Sequence, residues 1–124
     1  MELTAGWNAE LDRGPDWLFV RLSVTDPGNA AESNLAESLW QLMQRQFAYR
    51  LILELDGLPM MRSVLIGQLV LLHKRVDANG GLLRLCGLSD DNQAVIDATR
   101  LGSLFPQYRS REDAVMGYRP QKPR

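Results

Sequence analysis

The sequence predicts an α/β domain with one mixed β-sheet, parallel pairing among the later strands, and helices packed mainly on one face. Three observations support this fold class. Two strand-like runs near the N-terminus flank Gly14-Pro15, which predicts a hairpin. Short apolar runs then alternate with segments of helical periodicity. The length of 124 residues and the hydrophobic content of 45% suit one domain with a buried core.

The N-terminal hairpin is predicted from two runs of residues, of which the second is the stronger strand signal. Residues Trp7 to Leu11 alternate weakly between apolar and polar, whereas Trp17 to Val24 are rich in aromatic and β-branched residues. Glycine and proline between the two runs favour a turn. We therefore expect two antiparallel strands, which make the sheet mixed.

The first helix is expected after Asp26-Pro-Gly-Asn29 interrupts the strand pattern. Ser33 or Asn34 can cap its N-terminus. Apolar residues then recur at helical spacing, namely Leu35, Leu39, Trp40, Leu42, Met43 and Phe47. The spacing predicts a helix from about Asn34 to Phe47.

A buried strand and a second, longer helix come next. The apolar run Leu51 to Leu55 ends at Asp56-Gly57, which fits a strand covered on both faces. Beyond the turn, one apolar stripe follows helical spacing through Leu65, Leu69, Leu72 and Val76. The helix is expected to end near Ala78, because Asn79-Gly80-Gly81 adopts left-handed conformations at little cost.

The same alternation continues toward the C-terminus. Leu82 to Leu85 predicts another strand, and Ser89 or Asp90 can cap a third helix that runs to about Thr99. Helical connections join parallel strands by right-handed crossovers, so the later strands are expected to be parallel.

The end of the chain is expected to hold little structure. A last helical turn is predicted from Ser110 to Met116, which places the domain at residues 5–116. Residues 117–124 form a basic tail with two prolines and little that could pack. We expect this tail to be disordered.

The charge balance excludes several kinds of partner. Lys and Arg total 14 against 15 for Asp and Glu, so the net charge of −1 offers no field for nucleic acid or an anionic membrane. No window reaches the roughly 18 apolar residues that span a bilayer, and no signal-peptide pattern opens the chain. We expect a cytoplasmic protein with a protein or small-molecule partner, and homo-oligomerisation stays open.

The chain offers no catalytic or metal-binding set, so we expect no enzyme activity, cofactor or metal. His73 is the only histidine and lies beside the apolar stripe of the second helix, which favours a structural role. Cys86 is the only cysteine and lies in an apolar run, which predicts a small buried core residue.

Residues Leu53 to Leu69 resemble the strand, turn and helix of the STAS family, which includes sulfate-transporter tails and bacterial anti-sigma-factor antagonists. Ala78 to Leu88 resembles the family's glycine-stopped helix and following strand, and Thr99 to Phe105 the end of its third helix. The resemblance covers about residues 7–116. It implies a non-enzymatic regulatory domain in transcription or stress signalling, whose partner is an anti-sigma factor or serine kinase.

The resemblance also implies one modification site. In antagonists of the family, a partner kinase phosphorylates the hydroxyl residue after the motif's aspartate, and Ser63 holds that position here. Arg62, Val64 and Leu65 replace the family's aspartate, second hydroxyl and glycine. Two regulatory readings therefore stay open, a switch phosphorylated at Ser63 and an interaction module that is not phosphorylated. A small-ligand-binding α/β domain is a third reading, of another class.

The resemblance places the partner surface at the start of the second helix. Its candidate contact residues are Met60, Met61, Arg62, Ser63, Val64 and Gln68. Arg62 would anchor an acidic partner, with the loop from Asp26 to Asn34 as a rim. Methionines at a turn can form an adaptable apolar contact, but we expect both to be buried under the sheet edge.

Overall fold

The computed structural model describes residues 1–26, 34–101, 103–106 and 108–117. Within these ranges the chain forms five strands and four helices. The strands are β1 (Glu2–Thr4), β2 (Trp7–Arg13), β3 (Leu18–Val24), β4 (Arg50–Glu54) and β5 (Leu82–Cys86). The helices are α1 (Leu35–Arg45), α2 (Ser63–Ala78), α3 (Asp90–Ala98) and α4 (Arg111–Met116).

The strands form one mixed sheet in chain order, β1-β2-β3-β4-β5. The pairs β1/β2 and β2/β3 are antiparallel, whereas β3/β4 and β4/β5 are parallel. In the centre of the sheet, Leu53 pairs with Val20 on one side and with Leu85 on the other. The predicted hairpin, the mixed sheet and the parallel later strands are thus confirmed.

Strand β1 is an addition to the predicted elements. It pairs Glu2 with Asn8 at the edge of the sheet, and the backbones of Met1 and Ala9 exchange hydrogen bonds beside it. The sheet therefore begins at Glu2, ahead of residue 5, the predicted start of the domain. A strand of three residues shows too little alternation to be found in the sequence.

The main core lies between one face of the sheet and helices α1, α2 and α3. The sheet contributes alternate residues of β3, β4 and β5, together with Leu55 just after β4, namely Leu18, Val20, Leu22, Leu51, Leu53, Leu55, Leu83 and Leu85. The predicted α2 stripe packs against them, and so does Ile96 of α3. Three helices on one face confirm the expected layering.

The opposite face of the sheet carries a smaller apolar cluster. Its members are Trp17, Phe19, Ile52, Cys86, Tyr108 and Ala114, the last of them on α4. Arg111 of α4 lies 4.3 Å above the Phe19 ring and pairs with Glu54 and Asp12. Its guanidinium holds the pKa of Asp12 below the ordinary value. This one arginine thus fastens α4 to the sheet by stacking and by charge.

Helix α1 ends earlier than predicted, at Arg45, and Phe47 is not part of it. The amide of Phe47 donates to the carbonyl of Gln44 at 3.1 Å, and that of Ala48 donates to Met43 at 2.9 Å. These two bonds form a Schellman motif, with Phe47 in the left-handed position at φ 53°. A residue other than glycine costs roughly 1 kcal/mol there. The Phe47 ring, which the helical spacing had grouped with the apolar set of α1, is 85% exposed.

The expected C-terminal tail and rim loop fall mostly outside the described residues. Of the tail only Gly117 is described, and of the rim loop only Asp26 and Asn34. The predicted helical turn near the C-terminus is confirmed as α4, which Ser110 caps by accepting a hydrogen bond from the amide of Asp113 at 3.2 Å.

Two glycines of the α2 region should respond to alanine with opposite signs. A Cβ at Gly81 would lie 2.2 Å from the carbonyl oxygen of Tyr49, whereas a Cβ at Gly67 would meet nothing within 4 Å. We expect Gly81→Ala to lower the free energy of unfolding by roughly 1–3 kcal/mol. Gly67→Ala should raise it by up to about 1 kcal/mol. Urea unfolding measures both, and a stable Gly81→Ala variant would contradict the close approach.

The thiol of Cys86 should be inert in the folded protein. The side chain is 2% exposed, and its burial, with the nearby Glu54 and Asp56 carboxylates, raises its pKa to about 12. We expect a disulfide reagent at mildly alkaline pH to react with Cys86 only after urea unfolds the chain. The thiol ionises at a lower pH in the unfolded chain than in the folded protein. The free energy of unfolding should therefore also fall as the pH rises above 9. Rapid labelling in native buffer would contradict the assignment.

Candidate functional site

The candidate site lies where the chain leaves β4 and enters α2. Leu55 remains buried after the strand, with its amide bonded to the carbonyl of Cys86 at 2.9 Å. The amide of Leu58 then donates to the carbonyl of Leu55 at 3.2 Å and reverses the chain. Gly57 lies close to the carbonyl of Leu22, 3.3 Å from where a Cβ would be. The turn is thus packed against β3.

A buried asparagine on α3 holds the segment just before α2. Asn92 is 2% exposed, and its Oδ1 accepts a hydrogen bond from the amide of Met61 at 2.8 Å. Its Nδ2 donates to the carbonyl of Pro59 at 3.0 Å. The two bonds lie on either side of Met60, so they fix the backbone from which that residue projects. We call this arrangement the Asn92 clamp.

Asn92 is not among the residues predicted for the site, although the sequence contains a signal for it. Ile96 is fully buried, and a residue four positions earlier lies on the same face of a helix. A polar side chain at such a position needs hydrogen-bond partners within the protein. Helical spacing alone therefore pointed to a buried asparagine, but not to the loop that satisfies it.

The two methionines of the turn have opposite environments. Met61 is 3% exposed and belongs to the main core, whereas Met60 is 73% exposed. Burial was expected for both, so the prediction is confirmed for Met61 and wrong for Met60. Met61 is consequently not part of the surface proposed below for partner binding.

Ser63 is the first residue of α2 and is exposed. Its position makes it a first-turn residue, since Arg62 occupies the cap position without a capping side-chain hydrogen bond. Among the described residues, the Ser63 hydroxyl has no hydrogen-bond partner. The first turn of α2 also contains no acidic residue. Its N-terminal amides therefore keep the partial positive charge that attracts an anion.

The exposed side of α2 carries apolar residues that the core does not use. Val64 is 54% exposed and Leu71 is 56% exposed, and Gly67 lies between them on the same face. Gln68 is only half-buried, and its Oε1 accepts a hydrogen bond from the amide of Ala36 at 2.9 Å. Gln68 therefore ties α2 to the first turn of α1. We define the α2 surface as Met60, Arg62, Ser63, Val64, Gly67, Gln68 and Leu71.

Neither catalytic nor metal-binding groups converge at this site in the described part of the chain. His73 packs edge-on against Phe105, with ring centroids 5.5 Å apart and planes at 87°, which is a structural contact. No group of His, Cys, Asp or Glu among the described residues could hold a metal ion. None of the described helices is both long and apolar enough to span a membrane.

Most of the chain matches a known protein family. The family model of the STAS domain aligns with residues 29–114, more than half of the chain. The chain belongs to the STAS domain family. No curated protein shows significant sequence similarity to this STAS domain.

Solved structures share the fold of this STAS domain over most of its length. The Thermotoga maritima protein TM1081 matches with a TM-score of 0.74 at 13% identity, covering 88% of this chain and 92% of that one. An anti-sigma factor antagonist from Mycobacterium paratuberculosis gives 0.69 at 16% identity, covering 90% and 92%. The anti-sigma factor antagonist SpoIIAA in its unphosphorylated form gives 0.67 at 18% identity, covering 91% and 100%. These identities show a common fold.

The Asn92 clamp should contribute measurably to stability. Asn92→Ala leaves the buried amide of Met61 without its acceptor, which costs roughly 1–3 kcal/mol. Asn79→Ala is the matched control, because Asn79 is exposed and donates only to the carbonyl of Arg75. We expect the control to change stability by no more than about 0.5 kcal/mol. Urea unfolding and amide exchange at Met61 measure the difference, and equal effects of both variants would contradict the clamp.

Proposed function

We propose that this STAS domain is a non-enzymatic regulator that binds an anti-sigma factor or related serine kinase through the α2 surface. The observation that carries the proposal is the exposed Ser63 hydroxyl at the start of α2, directly after a loop held by the Asn92 clamp. Structural neighbours named as anti-sigma factor antagonists support the kind of partner. In this proposal, phosphorylation of Ser63 controls release of the partner.

The chemistry of the α2 surface supports such a switch. A phosphate on Ser63 adds a charge of about −1.5 to −2 and three acceptor oxygens. The N-terminus of α2 tolerates that charge, and Arg62 is adjacent in the chain. Met60 and Val64, however, are the apolar residues on either side of Ser63. A dianion between them would have to lose its hydration when a partner covers this apolar area, so binding would weaken.

A second reading, in which the domain is never phosphorylated, also has support in the chain. Arg62 and Val64 stand where the family motif has an acidic and a hydroxyl residue. A kinase that recognises the usual acidic neighbour would meet a cation instead. In this reading the α2 surface binds its partner constitutively, and Ser63 is only a first-turn residue.

One experiment separates the two readings. The protein is incubated with ATP and the anti-sigma kinase encoded nearest to it, and intact-mass spectrometry follows the addition of a phosphoryl group. The switch predicts modification of the wild type but not of Ser63→Ala. It also predicts that Ser63→Asp weakens binding of that kinase by about tenfold or more in calorimetric titration. If Ser63→Ala and Ser63→Asp bind alike and no phosphate appears, the constitutive reading replaces the switch.

The location of the partner surface is tested by a pair of methionine variants. Met60→Asp places a charge in the proposed contact and should weaken binding of the same kinase by about tenfold or more. Met116→Asp is the matched control, because Met116 is 63% exposed but lies on α4, on the other face of the sheet. The control should bind like the wild type. Equal losses for both variants, or none for Met60→Asp, would contradict the α2 surface.

A further inference from the structure

A second exposed surface lies at the end of the sheet opposite to the start of α2. There the β2–β3 turn and the α1–β4 loop enclose an open cleft of about 250 Å³. The charged and aromatic residues that line this cleft are Arg13, Asp16, Trp17, Phe47, Tyr49 and Arg50. Strand β4 begins at Arg50, whereas α2 follows the other end of that strand. The cleft is therefore separate from the α2 surface.

Two aromatic rings project from this region on fixed backbone. Phe47 is 85% exposed and Tyr49 is 75% exposed. The Schellman motif holds Phe47 at φ 53°, and the carbonyl of Tyr49 accepts a hydrogen bond from the amide of Leu82 at 3.1 Å. Gly81 also packs directly on that carbonyl. Glycine would take the conformation of Phe47 without strain, and the exposed ring gains little packing, so folding does not explain a phenylalanine there.

Charged groups of both signs accompany the rings. The Arg50 guanidinium lies over the Trp17 ring at 5.7 Å, and Asp16 is exposed at the β2–β3 turn. Within the described part of the chain, neither Asp16 nor Arg50 takes part in an ion pair. The lining contains arginine and aromatic residues but no lysine. This composition is typical of the buried centre of protein interfaces.

We propose that this cleft surface is a two-fold symmetric interface between two copies of the chain. A two-fold interface brings the same patch together from both sides, so each patch has to complement itself. Here the patch contains exposed aromatic rings together with Asp16 and Arg50, neither of which forms an ion pair among the described residues. The second arginine of the lining, Arg13, donates a hydrogen bond to the carbonyl of Gln46. Asp16 of each copy meets Arg50 of the other, and the rings of Phe47 and Tyr49 cover one another. A basic partner would be repelled by Arg13 and Arg50, which outnumber Asp16 in the lining.

The available area sets the strength of this dimer. Aromatic side chains bury roughly 150–250 Å² each, so the two exposed rings account for roughly 300 Å² on each copy. Stable interfaces bury roughly 800 Å² on each side. The remaining lining residues of the cleft add to the buried area, but the interface stays small compared with stable ones. The dimer is therefore weak, in keeping with the small interfaces of transient complexes.

The proposed dimer would leave both α2 surfaces exposed, because they lie beyond the opposite ends of the parallel strands. Each dimer would then present two partner-binding surfaces, and a linked pair of sites raises the apparent affinity for a partner that is itself dimeric. This inference goes beyond the proposed function. It stands or falls on self-association alone, with no anti-sigma kinase present.

Sedimentation equilibrium of the full chain, from micromolar to millimolar concentration, tests the interface. Phe47→Gly and Tyr49→Ser should each raise the dimer dissociation constant by about tenfold or more. Phe47→Gly should at the same time raise the urea midpoint, because it removes the strained conformation. A variant that dimerises more weakly but unfolds at a higher urea concentration has lost interface contacts and not its fold. Met116→Ser is the control and should dimerise like the wild type.

Charge reversal tests the symmetry of the pairing. Asp16→Arg removes both ion pairs of a two-fold dimer and should weaken it by about fivefold to tenfold. The double variant Asp16→Arg, Arg50→Asp exchanges the two charges and should regain most of the affinity. A wild type that stays monomeric at millimolar concentration would overturn the proposal. A dimer that Phe47→Gly and Tyr49→Ser leave intact, or that Val64→Ser disrupts instead, would overturn it as well.

Discussion

Burial of β4 on both of its faces is the constraint on which the rest of the structure depends. Leu51 and Leu53 point into the main core, and Ile52 points into the cluster beneath α4. The strand also pairs in parallel with β3 and β5, so its backbone is hydrogen-bonded along both edges. A strand held in this way cannot slip, because a shift of one residue would exchange its two faces. Both exposed surfaces of the domain are attached to its ends.

The Asn92 clamp extends this rigidity from the sheet to the α2 surface. Loops usually carry function because they are free to vary, but they recognise a partner well only when the surrounding scaffold orders them. Here one buried amide side chain satisfies the backbone on both sides of Met60. The exposed methionine, the serine and the start of α2 are thereby presented together, which lowers the entropy lost when a partner binds.

The two exposed surfaces both contain departures from simple folding rules. Met60, Val64 and Leu71 leave apolar side chains in water, and Gly67 weakens a helix without any close contact that requires a glycine. At the other end of the sheet, Phe47 occupies a left-handed position that favours glycine. None of these choices stabilises the isolated chain. Each is explained if another protein, or another copy of this one, covers the surface.

The sequence by itself determined the order of the elements from β2 onward, the mixed sheet and the position of Ser63 at the start of α2. These features follow from local periodicity, turn residues and a family motif, all of which are short-range patterns. Only the tertiary structure decided which turn methionine is buried, where Asn92 finds its partners and how the ring of Phe47 is directed. Those outcomes depend on contacts between residues about thirty positions apart, or on backbone geometry that no local pattern encodes.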